Sequence, residues 1–340
     1  MVPNFLLRFR AILRAWMNSC KSLAAAGLLA MPVSASVAAS PAWPPGSVRM
    51  LVPAPAGGAS DMIARLLAEK LSARLKRPFI VENMPGASGT IAARALVGSA
   101  ADGSVVLVGP SGLATEVPHV MKLPFDPLKD MVQIAELSRS PMVLLANAAL
   151  PASSLEELVQ YARANPGKLS VASYSAGTRS HYAAELFTSK TGANVVHVPY
   201  KGSPPAIVDL VAGHVSLAFD VTPNVLGHIR AGKLKAIAIV GDKRSPLLPS
   251  VPTFAERGYA ELNSHAWIGI WLPRRTPEAT VRLIHDEVKV VWDTAAVREK
   301  LRSLGFEPAP DRTMAQQQSE LNALFESNRE IVHRFGIKLN

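Results

Sequence analysis

The 340-residue sequence predicts an α/β protein of two lobes around a central cleft, hinged by two chain crossings. Three observations carry that reading. Short apolar runs ended by Pro, Gly and Ser alternate with stretches of helical periodicity, as in parallel sheets covered by helices on both faces. The alternation runs twice, breaking at Leu123-Pro124-Phe125-Asp126-Pro127 and starting afresh at Pro141. Beyond Gly241 the chain has one strand-like run, Trp267 to Leu272, and is otherwise too helical for a third sheet. That remainder is expected to return and complete the first lobe. Lobe 1 is thus expected over 42–139 and 242–340 and lobe 2 over 140–241, with crossings near 138–141 and 240–245 and the ligand between them.

Residues 1–38 read as a signal peptide. Arg8, Arg10, Arg14 and Lys21 make a basic start, Leu23 to Val33 is an apolar run too short for a membrane span, and Ser36-Val37-Ala38 is an A-x-A-like cleavage site. Cys20 precedes the apolar run, which argues against a lipid anchor. Removing the four cations lowers the formal charge from +10 to +6 and removes the only cysteine. An exported chain without cysteine needs a hydrophobic core instead of disulfides, and roughly 300 residues suffice for two lobes. The remaining Lys and Arg are scattered, with no aromatic-interleaved basic segment, so no nucleic acid partner is expected.

The first unit is Met50-Leu51-Val52, a strand ended by Pro53 and Pro55, neither of which can donate to a sheet ladder. Met62, Ile63, Leu66, Leu67, Leu71 and Leu75 recur at helical spacing, so a helix follows, capped by Ser60 or Asp61. Such a start offers unpaired N–H groups and a partial positive charge, and Gly57 and Gly58 let a ligand approach the backbone. Neither phosphate-loop pattern is present and the loop has no lysine. Ala56, Gly57, Gly58, Ala59, Ser60 and Asp61 therefore suggest a carboxylate site, the alternative being a plain capped turn. Phe79 to Glu82 is the second strand, Asn83 to Gly89 its loop, and Thr90 to Val97 a helix. Val105 to Gly109 is the third strand, followed by Pro110-Ser111-Gly112. Loops at strand carboxyl ends share one sheet edge, where ligands sit, which makes Ser111 a candidate.

Met142 to Ala146 opens the second series, and Ser154-Leu155-Glu156-Glu157 is a capping box for a helix ending near Asn165-Pro166-Gly167. Leu169 to Ser173 is a strand, and Ser180 to Lys190 a helix closed by Gly192. Val195 to Val198 precedes Pro199-Tyr200-Lys201-Gly202 and a short helix, Ala206 to Ala212. Val215 to Phe219 ends at Asp220, and Leu234 to Val240 is the last strand. Ser173, Ser175, Ala176, Gly177 and Thr178 repeat the logic of the first loop, so a two-sided anion clamp is expected. Tyr200, Lys201 and Asp220 stand at further strand ends. Lys201 reads either as a ligand cation or as a solvated lysine. Asp220, if it faces the cleft, would select an amino or hydroxyl group, because a carboxylate only accepts. For Asp61, capping competes with ligand contact. In the remainder, Thr276-Pro277-Glu278 opens a helix with proline at its first position.

Catalytic and metal chemistry find little support. Ser180 and His181 are adjacent on a helix, about 100° apart, and no G-x-S-x-G elbow is present. His119, His197, His214, His228, His265, His285 and His333 show no H-x-H or H-E-x-x-H spacing. No metal or cofactor is expected.

Several motifs then stand together in order: Val52 to Asp61, Val81-Glu82-Asn83-Met84-Pro85-Gly86-Ala87-Ser88-Gly89, Ala101-Asp102-Gly103, and Pro124-Phe125-Asp126-Pro127. Further on come Gly177-Thr178-Arg179-Ser180-His181 with Ala184-Glu185-Leu186, His197-Val198-Pro199-Tyr200-Lys201-Gly202, Phe219-Asp220 and Leu248-Pro249-Ser250-Val251-Pro252-Thr253. In these, over nearly its whole length beyond the signal, the chain resembles the extracytoplasmic solute receptors of the tripartite tricarboxylate transporter family, the Bug proteins. The resemblance implies a type II periplasmic-binding-protein fold closing on a small carboxylated solute. It also implies that amides and small hydroxyls of loops 56–61 and 175–181 hold a carboxylate while waters bridge the lobes. Ala54 replaces the family's usual aromatic, Met84 a frequent basic residue, and Ser175 a common glycine, while Arg179 adds a cation near the clamp. The expected protein is a monomeric periplasmic receptor, not an enzyme, delivering its solute to membrane permease subunits. A sensor docking on a membrane signalling receptor and a secreted enzyme acting on an acidic metabolite are the rival functions.

Overall fold

The computed structural model describes residues 43–263 and 266–336, so the expected signal peptide lies outside the described residues. Two sheets organise the chain. The first runs β2-β1-β3-β10-β4-β11, from β1 (Val48–Val52), β2 (Phe79–Asn83), β3 (Val105–Pro110), β4 (Met131–Arg139), β10 (Trp267–Pro273) and β11 (Glu307–Pro308). The second runs β7-β6-β8-β5-β9, from β5 (Met142–Asn147), β6 (Leu169–Ser173), β7 (Val195–Pro199), β8 (Leu217–Val221) and β9 (Leu234–Val240).

Side chains alternate between the faces of a strand, and here both faces are buried. In β1, Val48, Met50 and Val52 pack beneath α1 (Ala59–Leu75), while Leu51 faces the opposite side with Ala92, Ala93 and Leu96 of α2 (Thr90–Gly98). In β5, Met142, Leu144 and Ala146 enter one core and Val143 and Leu145 the other. The expected apolar stripe of α1 is buried, with Ile63, Leu67 and Leu71 wholly so and Met62, Leu66 and Leu75 flanking them. Of the capping box at the start of α3 (Leu155–Ala164), the Ser154 hydroxyl accepts from Glu157 N–H at 3.1 Å. The Glu157 carboxylate returns to Ser153 N–H, one residue earlier than the motif prescribes.

The sheets are mixed where wholly parallel ones were expected. β5 is antiparallel to β8 and β9, and β10 to β3 and β4. Each begins where the chain has just crossed from the other sheet, so it runs away from the hinge. β4 is missing from the sequence reading because Gln133 and Glu136 interrupt its apolar run. Both are buried with partners: the Gln133 carbonyl accepts from the Trp267 indole N–H at 2.8 Å, and Glu136 pairs with Arg139 at 2.6 Å. Also unforeseen is the helix Thr222–Arg230, with Pro223 in its first turn. Pro277 is an N-cap and not the first helical residue. The return to the first sheet comes later than residue 242. Leu248, Val251, Phe254 and Leu262 pack into the cores of the second sheet, and Thr253 bridges to Ile239.

Gln133→Ala would leave the buried Trp267 N–H without its acceptor. The expected cost is about 1–3 kcal/mol, read as a lower urea midpoint at unchanged slope. An unchanged midpoint would show that the indole finds another acceptor.

Candidate functional site

The carboxyl ends of β1, β2, β3, β6, β7 and β8 all open on one cleft of about 490 Å³ between the sheets. The lobes touch across it. Ser88 donates its hydroxyl hydrogen to the Ala176 carbonyl at 2.7 Å, and the Ser175 and Ser88 hydroxyls lie 3.3 Å apart. Pro55 packs so closely on Gly202 that a Cβ there would overlap the proline ring, and φ at Gly202 is +120°. Only glycine meets both conditions.

On the first lobe, Gly58, Ala59 and Ser60 line the cleft. The first intrahelical bond of α1 is Met62 N–H to Gly58 O, so the Ala59, Ser60 and Asp61 amides precede the ladder. The N-cap is Gly58; neither Ser60 nor Asp61 caps the helix as expected. The Asp61 carboxylate turns inward, accepting from Gly57 N–H, Arg65 Nε and Asn83 Nδ2, each at 2.9 Å. Burial acts to raise its pKa, but the Arg65, Gly57 and Asn83 bonds outweigh it and hold the group below its ordinary value. Asp61 thus ties the turn together behind the wall, and Ala56 and Gly57 lie exposed on the turn's outer side. Ser111, wholly buried, exchanges bonds with the Trp267 backbone and fastens β3 to β10 instead of facing the cleft.

On the second lobe, Ser175, Ala176, Thr178 and Arg179 line the cleft ahead of and within α4 (Arg179–Thr191). The end of α4 is already partly filled. Arg179 N–H donates to Glu116 Oε2 at 2.6 Å, and the Tyr182 hydroxyl donates to the Glu116 carbonyl at 2.8 Å. Glu116 follows β3 in the first lobe, and the Arg179 guanidinium reaches Ser140 O at the crossing, at 3.2 Å. Burial pushes the Glu116 carboxyl up to about 7, against the pull of Arg179's charge and N–H. Nothing in the local sequence marks Glu116; only its place between the lobes does.

Ser173 and Gly177 stand behind the wall. Gly177 N–H donates to His181 Nδ1 at 3.1 Å, and the Ser173 hydroxyl meets His197 Nε2 at 2.7 Å. His181, Glu185 and His197 bring potential metal-ligand atoms within 4.8 Å of one another, a grouping the spacing rules did not reveal. The imidazoles stack at 4.0 Å and 10°, so their in-plane lone pairs run side by side and do not converge. Because His181 Nδ1 accepts a bond, its proton sits on Nε2, 3.4 Å from Glu185. The group is a hydrogen-bonded brace for the loop. Burial, then the neighbouring His181, pushes His197 down to about 4.

Tyr200 and Lys201 line the cleft, Lys201 exposed and Tyr200 bonded through its hydroxyl to Asp209 at 2.6 Å. Asp220 does not face the cleft. It accepts from Ser203 Oγ, from Asn224 Nδ2 at 2.7 Å and from Val221 N–H at 2.7 Å, and burial raises it to about 6 despite these bonds. It orients Ser203 and Asn224, which do line the cleft. Leu113, Met121, Ser140, Trp267 and Ile268 also form the wall and escaped the sequence reading, since they lie at a crossing or in segments without a loop motif.

The profile described as "Tripartite tricarboxylate transporter family receptor" matches residues 63–334. The chain belongs to this family. It is 36% identical to the protein BugT of Bordetella pertussis over 308 residues, covering 87% of this chain and 93% of BugT. Among solved structures, Rpa4515 of R. palustris with adipate has a TM-score of 0.82 at 32% identity, covering 87% of this chain and 99% of that one. MatC of Rhodopseudomonas palustris with bound malate has a TM-score of 0.80 at 31% identity, covering 85% of this chain and 100% of that one. The two-lobed periplasmic-binding architecture is therefore a property of the receptor family.

Gly202→Ala in this receptor is expected to hold the mouth open. Small-angle scattering would then show no contraction on adding a solute that contracts the parent protein. A second expectation concerns pH. Folded Glu116 keeps its proton to about 7, whereas the unfolded group releases it near 4.5, so its contribution lowers stability as pH rises between those values. Asp220 acts with the same sign between 3.8 and about 6. Glu116→Gln should therefore gain in melting temperature relative to the parent as pH rises from 5 to 7.5; a constant difference would refute the assignment.

Proposed function

We propose that this receptor works in the periplasm after signal cleavage, capturing a small organic acid and presenting it, as a monomer, to tripartite transporter permease subunits without covalent chemistry. One observation carries the reading. The amide end of α1, ahead of its hydrogen-bond ladder, opens on a cleft that the second lobe covers through Pro55 against Gly202 and Ser88 against Ala176. A solute that touches both lobes stabilises the closed arrangement by its differential contacts. The adipate and malate in the two solved relatives support a carboxylate as the ligand.

A binder suits the wall better than an enzyme does. Among the described residues that line the cleft there is no His, Asp, Glu or Cys, so neither an imidazole nor a carboxylate stands beside a bound acid as a base. Ser180, the serine considered as a nucleophile, accepts from Tyr174 N–H at 3.2 Å and is fully buried.

The test is a thermal-shift screen of the exported protein, stripped of carried-over ligand by refolding, against organic acids and their neutral amides. An acid should raise the melting temperature and its amide should not. Equal shifts from both, or turnover of the bound acid, would sink the reading.

A further inference from the structure

We propose that the solute is a monocarboxylic acid with an extended apolar body, such as an arylalkyl or medium-chain acid, and not a short di- or tricarboxylate. This rests on the carboxylate-receptor reading and goes further by naming the class.

The first argument is the number of anion sites. Several helix ends meet the cleft, but most have their donors spent or missing: Thr90 N–H bonds the Ala87 carbonyl, Pro204 and Pro205 leave the helix Ser203–Ala212 without two of its first amides, Thr222 N–H bonds the Pro141 carbonyl ahead of Pro223, and Glu116 already occupies the Arg179 N–H at the end of α4. The same carboxylate lies within Coulombic reach of the Arg179 guanidinium, the buried cation of the wall. A second ligand carboxylate on the hinge side would find this amide already taken by the Glu116 carboxyl. The end of α1 carries no such occupant: its one nearby carboxylate, Asp61, is turned behind the turn onto Gly57, Arg65 and Asn83. Lys201, the other cation of the wall, is exposed and follows β7 at the edge of its sheet, away from the hinge.

The second argument is the wall between α1 and the hinge. From β1 the sheet passes to β3 and then to β10. Leu113 and Met121 come from the segment after β3, and Trp267 and Ile268 from the start of β10. Two strand spacings amount to roughly 10 Å, so the apolar wall extends about that far from the amides of α1. Ala54, also on the wall, adds width where a larger side chain would fill it. The lobes are already in contact at Pro55–Gly202 and Ser88–Ala176, so the 490 Å³ belongs to a cleft with its mouth drawn together. A four-carbon diacid would leave most of that wall without contact and set its second charge against apolar groups.

The test is isothermal titration of the exported, ligand-stripped protein with 4-phenylbutyrate, octanoate, succinate, adipate and 4-phenylbutyramide. 4-Phenylbutyrate or octanoate should bind about tenfold or more tighter than either diacid, with the amide about tenfold weaker than its acid. A diacid that binds tighter overturns this inference and leaves the carboxylate receptor standing. An amide that binds as well as its acid, or silence from every acid, overturns both. In Met121→Arg, a new cation on the apolar side should shift the preference toward adipate by about tenfold, and an unchanged ratio would place the far end of the ligand elsewhere and overturn the inference. Circular dichroism of the variant accompanies the titration, and octanoate binding reports that its cleft is formed.

Discussion

Two residues, Ser140 and Pro141, separate the last residue of β4 in one sheet from the first of β5 in the other, and with no helix between them the chain cannot turn back before pairing again. The direction of the other long strands follows. β3 shares the direction of β4 because both are antiparallel to β10, and β1 and β2 lie parallel to β3, so all four end at the crossing side. In the second sheet β8 and β9 run against β5 and therefore end where it begins, and β6 and β7 follow β8. The loops and helix starts that follow the parallel strands are thereby aimed at one cleft. No single loop needs to encode that convergence.

The hinge side of the cleft is held by buried polar groups that satisfy one another. Glu116, Arg179, Tyr182 and the Ser140 carbonyl link the segment after β3, the helix α4 and the crossing itself. A carboxylate taken out of water is costly unless paired, so this group favours the lobe arrangement in which the Arg179 amide and charge lie beside it. Asp220 has the same character on the second lobe, with each oxygen engaged by Ser203, Asn224 or Val221. Such groups set the shape of the wall, and of the residues they hold there Asn224 keeps its Oδ1 without a protein partner. What lines the cleft is backbone amide, hydroxyl, apolar side chain, the Asn224 carboxamide, the buried Arg179 and the outlying Lys201.

The elements were largely legible from the sequence, because strand and helix periods are local consequences of backbone geometry and Pro and Gly mark where they stop. Leu169–Ser173 and Leu234–Val240 have the bounds that their apolar runs indicate. β4 was not legible, since Gln133 and Glu136 are buried through partners on β10, on the C-terminal helix and on β4 itself. The sequence by itself also determined that two lobes flank a cleft and that small-residue loops stand at strand ends. The motif order indicated the receptor family. Only the tertiary structure decided which side of the wall each polar residue occupies. Asp61, Asp220, Ser111 and Ser173 sit in or beside the expected loops yet point away from the cleft, while Glu116, from a stretch with no motif, reaches the end of a distant helix. The physical reason is that a polar side chain settles where its hydrogen bonds can be met, and for these residues the partners lie across turns, strands or lobes that no local pattern specifies.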